Sequence, residues 1–319
     1  MGSYHARVTD SARTSTSGLQ APLWTLVDEH GVPLGNDPLR GKRIPAGALV
    51  ANKFRVAEPI GRGQYSTIYA ATQAPIGREV ALKVAGGNTD DPALRARFMR
   101  EARFLASIDH PNVVRVYEMG WLTSGPAAIA MERLRGETLQ QRLERDASMK
   151  LGEAIAILRP VLEALTEVHG RNFVHRDLKP ANVMLTGSVA PLVPKLLDFG
   201  IGKDLMDNQQ LTAAGKFVGT PAYLAPEQMR PRGTVDARAD LYTVGILLFQ
   251  MLTGRTPFVG ATARTMLAVI NEVPPLLRSL RSDVPPGIEA LVAKALAKDP
   301  AQRFQTADEM NAALQAARG

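Results

Sequence analysis

Residues 175–182 read His-Arg-Asp-Leu-Lys-Pro-Ala-Asn, and sixteen positions beyond Asn182 comes Asp198-Phe199-Gly200. The octet sets an acid, Asp177, five positions before an amide, Asn182, with a cation, Lys179, between them. Phosphoryl transfer from ATP needs a carboxylate to orient a hydroxyl and a lysine beside the migrating group. It also needs an amide and a second carboxylate to hold metal. A polar loop that merely caps structure would account for any three of these residues, but not for eight ordered positions followed by Asp-Phe-Gly.

Outward from the octet the chain changes character. From Phe54 onward, short runs read as strands: Phe54–Ala57, Ser66–Ala71, Glu79–Val84, Val113–Tyr117 and Ala127–Glu132. Asp91-Pro92 opens a helix, Asp as N-cap and Pro at the first helical position, with Leu94, Phe98, Ala102 and Leu105 on one face. Beyond Gly136 the periodicity is helical. One long helix carries Ile155, Leu158, Leu162 and Leu165 on a face, and Pro160 should kink it or end its first part. Leu241–Leu252 is too short an apolar run to span a bilayer and reads as a core helix. Strands followed by helices predict an α+β fold in two lobes.

Upstream, residues 1–18 are rich in Ser, Thr, Arg and Gly without periodicity and read as a disordered tail. Residues 19–53, punctuated by Pro22, Pro33, Pro38 and Pro45, read as an irregular extension with a small hairpin across Asp28–Gly31. The chain has 319 residues, 45% hydrophobic and 22% charged, enough for a sizeable core. It has no cysteine, which excludes disulfides, thiolate catalysis and Cys-type zinc sites. The net charge of +7 would suit a nucleic acid or an anionic membrane. No run of five consecutive basic residues occurs, so dispersed surface charge is the plainer reading and specific nucleic-acid binding is not expected. Met1–Gln20 lacks the apolar core of a signal peptide, and Ala6 breaks the myristoylation pattern. A cytoplasmic protein without a membrane segment is the expectation.

The octet and Asp198-Phe199-Gly200 resemble the catalytic loop and metal motif of the eukaryotic-like (Hanks-type) protein serine/threonine kinase family. Gly-Thr-Pro-Ala-Tyr-Leu-Ala-Pro-Glu-Gln at 219–228 is similar to the bacterial subgroup, and Lys-Pro-Ala-Asn resembles Ser/Thr rather than Tyr kinases. The resemblance covers roughly Phe54 to Leu314, leaving 315–319 as a C-terminal end. It implies the two-lobed protein kinase fold: a small β-rich N-lobe with one key helix and the hinge at 54–135, and a larger helical C-lobe at 136–314. It also implies ATP with Mg2+, or Mn2+ in its place, and protein substrates with Ser/Thr acceptors.

On the nucleotide side, Gly61-Arg62-Gly63-Gln64-Tyr65-Ser66-Thr67-Ile68 is a glycine turn whose backbone would approach the triphosphate. It departs from the family pattern at Ser66, which replaces a glycine, and at Ile68, which replaces a valine. The resemblance puts Ile60, Gly61, Gly63, Ser66, Ile68 and Ala81 around the nucleotide and Met131 behind the adenine. Main-chain groups of Glu132 and Leu134 then meet the adenine edge, Glu137 the ribose, and Met184 forms the floor. Val80-Ala81-Leu82-Lys83 resembles the strand bearing the phosphate-binding lysine. Glu101 falls three residues after Phe98 and four before Leu105, on the apolar face of its helix. A carboxylate there must be neutral, paired or near solvent. Pairing with Lys83 satisfies both charges, and a surface ion pair at the rim is the plainer alternative.

On the chemical side, the resemblance makes Asp177 the catalytic base and Lys179 the cation on the transferred group. Asn182 and Asp198 become Mg2+ ligands, since hard oxygen donors suit that ion. It places Thr220 against the catalytic Asp and Lys, pairs Glu227 with Arg303, and has Asp240 brace the catalytic loop. Residues between Asp198 and Glu227 have the spacing of an activation loop. Arg176 is a cation beside the base, of the kind switched by a loop phosphate. Thr212 is the leading candidate for autophosphorylation, and a homodimer would serve that reaction in trans. Ala181 stands where many basophilic kinases carry an acid, so no strong demand for Arg upstream of the phosphosite is expected. A pseudokinase scaffold would normally lack Lys83, Asp177 or Asp198, and all three are present. A small-molecule phosphotransferase would lack Lys179 and the Ala-Pro-Glu at 225–227.

Overall fold

Val80, Leu82 and Val84 alternate with Ala81 and Lys83, and in the computed structural model of the chain the apolar trio joins a core on one face of an eight-stranded sheet. The structure describes residues 22–34, 44–63, 66–85, 92–123, 125–187, 192–199, 221–230 and 233–317, without the side chains at 92–94, 97 and 101. The sheet comprises β1 (Leu23–Trp24), β2 (Leu26–Val27), β3 (Leu49–Val50), β4 (Phe54–Arg62), β5 (Ser66–Gln73), β6 (Arg78–Ala85), β7 (Val116–Leu122) and β8 (Ala127–Glu132). Helix α1 (Pro92–Ala106) lies between β6 and β7 in the chain. Helix α1 begins at the proline expected from the sequence, while its expected N-cap, Asp91, lies outside the described residues.

Strand order is β1-β7-β8-β6-β5-β4-β3-β2, antiparallel except for the parallel pair β1–β7. Only Thr25 separates β1 from β2, so one segment meets both edges of the sheet. The carbonyls of Pro22 and Trp24 accept from the N–H groups of Trp121 and Thr123 at 3.0 and 2.9 Å, while that of Thr25 accepts from Ala51 at 2.8 Å. The sheet therefore closes on this segment. Where the sequence reads as irregular, residues 22–34 and 44–50 supply three short strands. The three-residue connection from β3 to β4 turns through Ala51 and Asn52 at φ 54° and 55°, positive as at the centre of a type I′ turn, and Lys53 N–H donates to Val50 O at 3.2 Å.

Beyond the sheet, β9 (Gly136–Thr138) leads into helices α2 (Leu139–Asp146) and α3 (Leu151–Gly170), and β10 (Val183–Thr186) and β11 (Val193–Leu196) follow. The order β11-β10-β9 makes a small second sheet. Thr138 and Gln141 cap α2 reciprocally as a capping box. Helices α4 (Ala237–Thr253), α5 (Thr262–Asn271), α6 (Leu277–Leu280), α7 (Pro286–Ala295) and α8 (Ala307–Ala316) complete the described α-helices. Helix α4 is buried all round from Ala239 to Phe249, as a central core helix must be. The two-lobed α+β reading holds.

Two expectations are corrected. Helix α3 does not end at Pro160 but continues to Gly170, because Ile155, Ile157 and Leu158 before it and Val161, Leu162 and Leu165 after it are all buried. That shared packing offsets the roughly 3 kcal/mol that an interior proline costs. The strand expected at Val113–Tyr117 lies later, at Val116–Leu122. Val113 and Val114 instead join the second sheet: Val114 N–H donates to Leu196 O at 3.0 Å, and Leu196 N–H donates to Asn112 O at 2.8 Å. Among the described residues no helix is long and apolar enough to cross a membrane.

Candidate active site

Directly opposed residues of an antiparallel pair share a face. The register therefore sets Gly61, Ile68, Lys83 and Ile129 in one row across β4, β5, β6 and β8. A neighbouring row on the same face holds Ala70, Ala81 and Met131. Gly63 N–H donates to Ser66 O at 2.8 Å and closes the glycine turn, whose tip, Gln64 and Tyr65, lies outside the described residues. Ile60 is exposed beside that turn, and Ile68 is half-buried.

Residues 133–135 belong to no helix or strand, and the Leu134 backbone makes no hydrogen bond among the described residues. The Glu132 N–H donates to Arg115 O at 2.8 Å, and its carboxylate accepts from Lys195 Nζ at 2.8 Å. The Glu137 carboxylate accepts from Arg145 at 2.6 Å, so a ribose hydroxyl would share that acid with a cation. Met184, half-buried on β10, is opposite Thr138.

In the octet, Pro180–Asn182 form one 3₁₀ turn that folds the amide back onto the acid. Asn182 Nδ2 donates to Asp177 O at 2.7 Å and to Asp177 Oδ2 at 3.0 Å, and Lys179 Nζ donates to the same Oδ2 at 2.9 Å. Leu197 N–H donates to the Asn182 backbone carbonyl at 2.8 Å, which brings the following residue, Asp198, alongside. Asp198 Oδ1 accepts from Lys83 Nζ at 2.6 Å, joining the sheet to the catalytic loop.

Arg176 and Asp198 hold left-handed backbones, φ 62° and 47°, which cost non-glycine residues roughly 1–3 kcal/mol. Buried Asp240 on α4 over-determines the first. It accepts the backbone N–H groups of His175 and Arg176 at 2.8 and 3.0 Å, and His169 Nε2 at 2.8 Å. His175 Nε2 meets Leu197 O at 2.9 Å, and the buried Phe199 ring lies 4.5 Å from the His175 ring. Burial pushes the His175 pKa down more strongly than Asp240, Asp177, the Leu197 carbonyl and Asp198 push it up. Burial alone would raise Asp240, but the hydrogen bond and charge of His169, followed by His175, hold it below the usual carboxylate value.

The expected pair Glu227–Arg303 is present, buried and bidentate, and Gln228 Nε2 donates to Arg176 O at 3.1 Å, tying that platform to the loop. Thr220 and Thr212 lie outside the described residues, as does the Glu101 side chain, whose backbone is in α1. The sequence reading missed His169 as a partner of Asp240. Its signal is a histidine in the last turn of an apolar helix, six residues before His175. It also missed the Lys195–Glu132 pair, which no local spacing announces.

Among the described residues no group of three or more His, Cys, Asp or Glu gathers to hold a metal. Asp198 and the Asn182 amide oxygen are a sparse, hard-oxygen set. That suits Mg2+, which takes one or two protein donors and completes its shell with phosphates and water. An open groove of about 580 Å³ lies at the other end of β5 and β6, lined by Gln73, Arg78, Arg115, Val116, Tyr117 and Glu118, away from these groups.

Residues 54–314 match the protein kinase domain family. The chain is 38% identical over 278 residues to serine/threonine-protein kinase pkn3 of Myxococcus xanthus, covering 85% of this chain and 51% of that protein. It is 36% identical over 270 residues to serine/threonine-protein kinase PknB of Mycobacterium leprae, covering 83% and 43%. The chain thus spans about half, or less, of the length of these curated relatives. Its structure is similar to the crystal structure of the Mycobacterium tuberculosis PknI kinase domain, with TM-score 0.65 and 28% identity over 83% of this chain and 96% of that one.

Proposed function

The chain belongs to the protein kinase family, and from that premise we propose that it transfers the γ-phosphoryl group of ATP to serine or threonine hydroxyls of proteins. The observation that carries the reading is the Asp177–Lys179–Asn182 cluster, bonded through the Asn182 carbonyl to Leu197, whose neighbour Asp198 bonds to Lys83. Asp177 orients the acceptor hydroxyl and takes its proton as the oxygen bonds to the γ-phosphorus. The bond to the β–γ bridging oxygen breaks, and ADP leaves. General-base help of this kind contributes about 10²–10⁴-fold. Lys179 balances charge on the moving group, and Lys83 holds the phosphates that lead to it.

Asn182 and Asp198 would hold Mg2+, or Mn2+ as a substitute, which neutralises phosphate charge. The Leu134 backbone, which makes no hydrogen bond among the described residues, supports adenine recognition there, together with the Glu132 carbonyl, with Met131 and Ala81 behind the base and Met184 beneath it. Gly61, Gly63 and Ser66 approach the phosphates, Ile60 and Ile68 offer the nucleotide apolar contact with Ile68 as the roof over adenine, and Glu137 meets the ribose. Glu101 pairs with Lys83, and Thr220 with Asp177 and Lys179. Residues 54–135 form the N-lobe and hinge, and 136–314 the C-lobe. The reaction uses cytoplasmic ATP, and a homodimer phosphorylates Thr212 in trans.

Incubating the chain with γ-labelled ATP and Mg2+, beside Asp177→Asn and Lys83→Met, tests the reading. Labelled protein with wild type alone supports it. Equal labelling in all three, or in none, overturns it.

A further inference from the structure

Residues 22–34 and 44–50 precede the stretch that matches the family, yet they supply three strands to the sheet that carries Lys83. Trp24 is 4% exposed, its ring 5.5 Å from that of Phe54. Its indole covers Gly120 of β7 so closely that a Cβ there would clash with Nε1 and lie 2.6 Å from both Cδ1 and Cε2. Gly120 and Trp24 are therefore a fitted pair: any side chain at 120 would expel the indole. The next residue, Trp121, faces the other side of the sheet. There its ring lies 5.2 Å from that of Phe98 and 4.8 Å from the guanidinium of Arg95, both on α1. Two consecutive residues of β7 thus touch the N-terminal segment on one face and α1 on the other. The backbone joins them as well, since Leu23 is paired with Trp121 and Trp24 with Leu122.

We infer that the segment 22–27 positions the nucleotide-side machinery, with Trp24 as a positioning residue that touches no substrate. Trp24 holds β7 in place, and β7 seats α1, the helix that carries Glu101. The inference rests on the kinase reading and adds to it an element from outside the matched 54–314 stretch. A segment held by two-residue strands is among the parts of a fold that open most readily. Its departure frees both edges of the sheet and removes the support beneath Trp121. Lys83 and Glu101 act on phosphates, whereas the adenine contacts assigned to Glu132 and Leu134 lie in another part of the lobe. Loss of the segment should therefore lower kcat and leave KM for ATP nearly unchanged.

The test uses the full chain as wild type, Trp24→Ala, Trp24→Phe and Gly120→Ala. Activity is expressed per folded molecule, and amide hydrogen exchange is followed in β7, α1 and α4. Trp24→Ala and Gly120→Ala should lose about 10- to 100-fold in kcat, the scale of a small misplacement remote from the chemistry. Trp24→Phe should restore most of it. In both alanine variants exchange should quicken in β7 and α1 and stay at the wild-type rate in α4. Unchanged kcat per folded molecule, or exchange quickened equally in α4, overturns the inference and leaves Trp24 a general stabiliser. If Trp24→Ala does not fold, Gly120→Ala decides, since it displaces the indole without removing it. If wild type labels no more protein than Asp177→Asn, the kinase reading fails instead, and the exchange pattern still decides whether Trp24 seats α1.

Discussion

Arg303 and Glu227 meet through two hydrogen bonds of 2.7 and 2.8 Å, with the guanidinium side chain 0% and the carboxylate side chain 9% exposed. The other guanidinium contacts go to the carbonyls of Ala297, Arg238 and Lys298, and its face lies 4.8 Å from the Tyr242 ring. A buried charge so fully satisfied is stable only while its partner stays. Arg303→Met should lower the unfolding free energy by about 3–5 kcal/mol, because Glu227 is left charged and dry. Glu227→Gln combined with Arg303→Met should cost clearly less than the two single changes summed. Urea denaturation of the four proteins checks both statements.

Asp240 collects three N–H donors on one carboxylate, two of them from the backbone beside Asp177. An amide in its place turns one acceptor into a donor facing donors. Asp240→Asn should therefore cost about 1–3 kcal/mol in stability, the price of a buried group left unsatisfied. The left-handed Arg176 backbone loses its restraint, so kcat should fall by about 10- to 100-fold. Denaturation and steady-state kinetics on one preparation measure the two effects, and loss of stability without loss of kcat would show that the loop holds its shape unaided.

Asp240 and Arg303 were legible in the sequence because each sits at a fixed offset within an ordered motif, as do Asp177, Asn182 and Asp198. The closure of the sheet by 22–27 was not. Two-residue strands leave no alternation to read, and Leu23 finds its partner, Trp121, far along the chain. The same limit applies to Val113 and Val114, whose apolar run reads as a strand but pairs with Leu196 rather than continuing into β7. Pro160 shows the converse: a strong local signal for a break yields to burial on both sides of it. Local spacing carries local chemistry, whereas long-range pairing is decided by packing that spacing does not encode.

Asn182 presents its amide N–H groups to Asp177, so its remaining oxygen is the atom proposed for Mg2+. Asn182→Ala should raise the Mg2+ concentration needed for half-maximal rate by at least about tenfold. Asn182→Asp keeps an oxygen for the metal but removes the donor to Asp177. It should therefore shift the Mg2+ requirement far less while still lowering kcat. Initial rates across a Mg2+ series at fixed ATP separate the two, and identical Mg2+ curves for wild type and Asn182→Ala would remove Asn182 from the metal site.

His175 is fully buried against Phe199, and burial depresses its pKa below the ordinary 6.5 despite the opposing pull of Asp240, Asp177, the Leu197 carbonyl and Asp198. Below pH 6.5 the unfolded chain takes up a proton at this residue while the folded chain still excludes it. The unfolded state then binds more protons, so stability rises with pH across that window. The contribution of the neutral ring is complete above pH 6.5 and is lost as pH falls through the folded value. From this residue alone the unfolding free energy should decline by up to about 1.4 kcal/mol per pH unit below 6.5. Asp240, also depressed, adds its own loss only below about 3.8. His175→Gln keeps a neutral donor for the Leu197 carbonyl and should flatten the decline between pH 6.5 and 5. The other histidines are common to both proteins and cancel in the comparison, so parallel slopes in urea denaturation would assign the acid sensitivity to a residue other than His175.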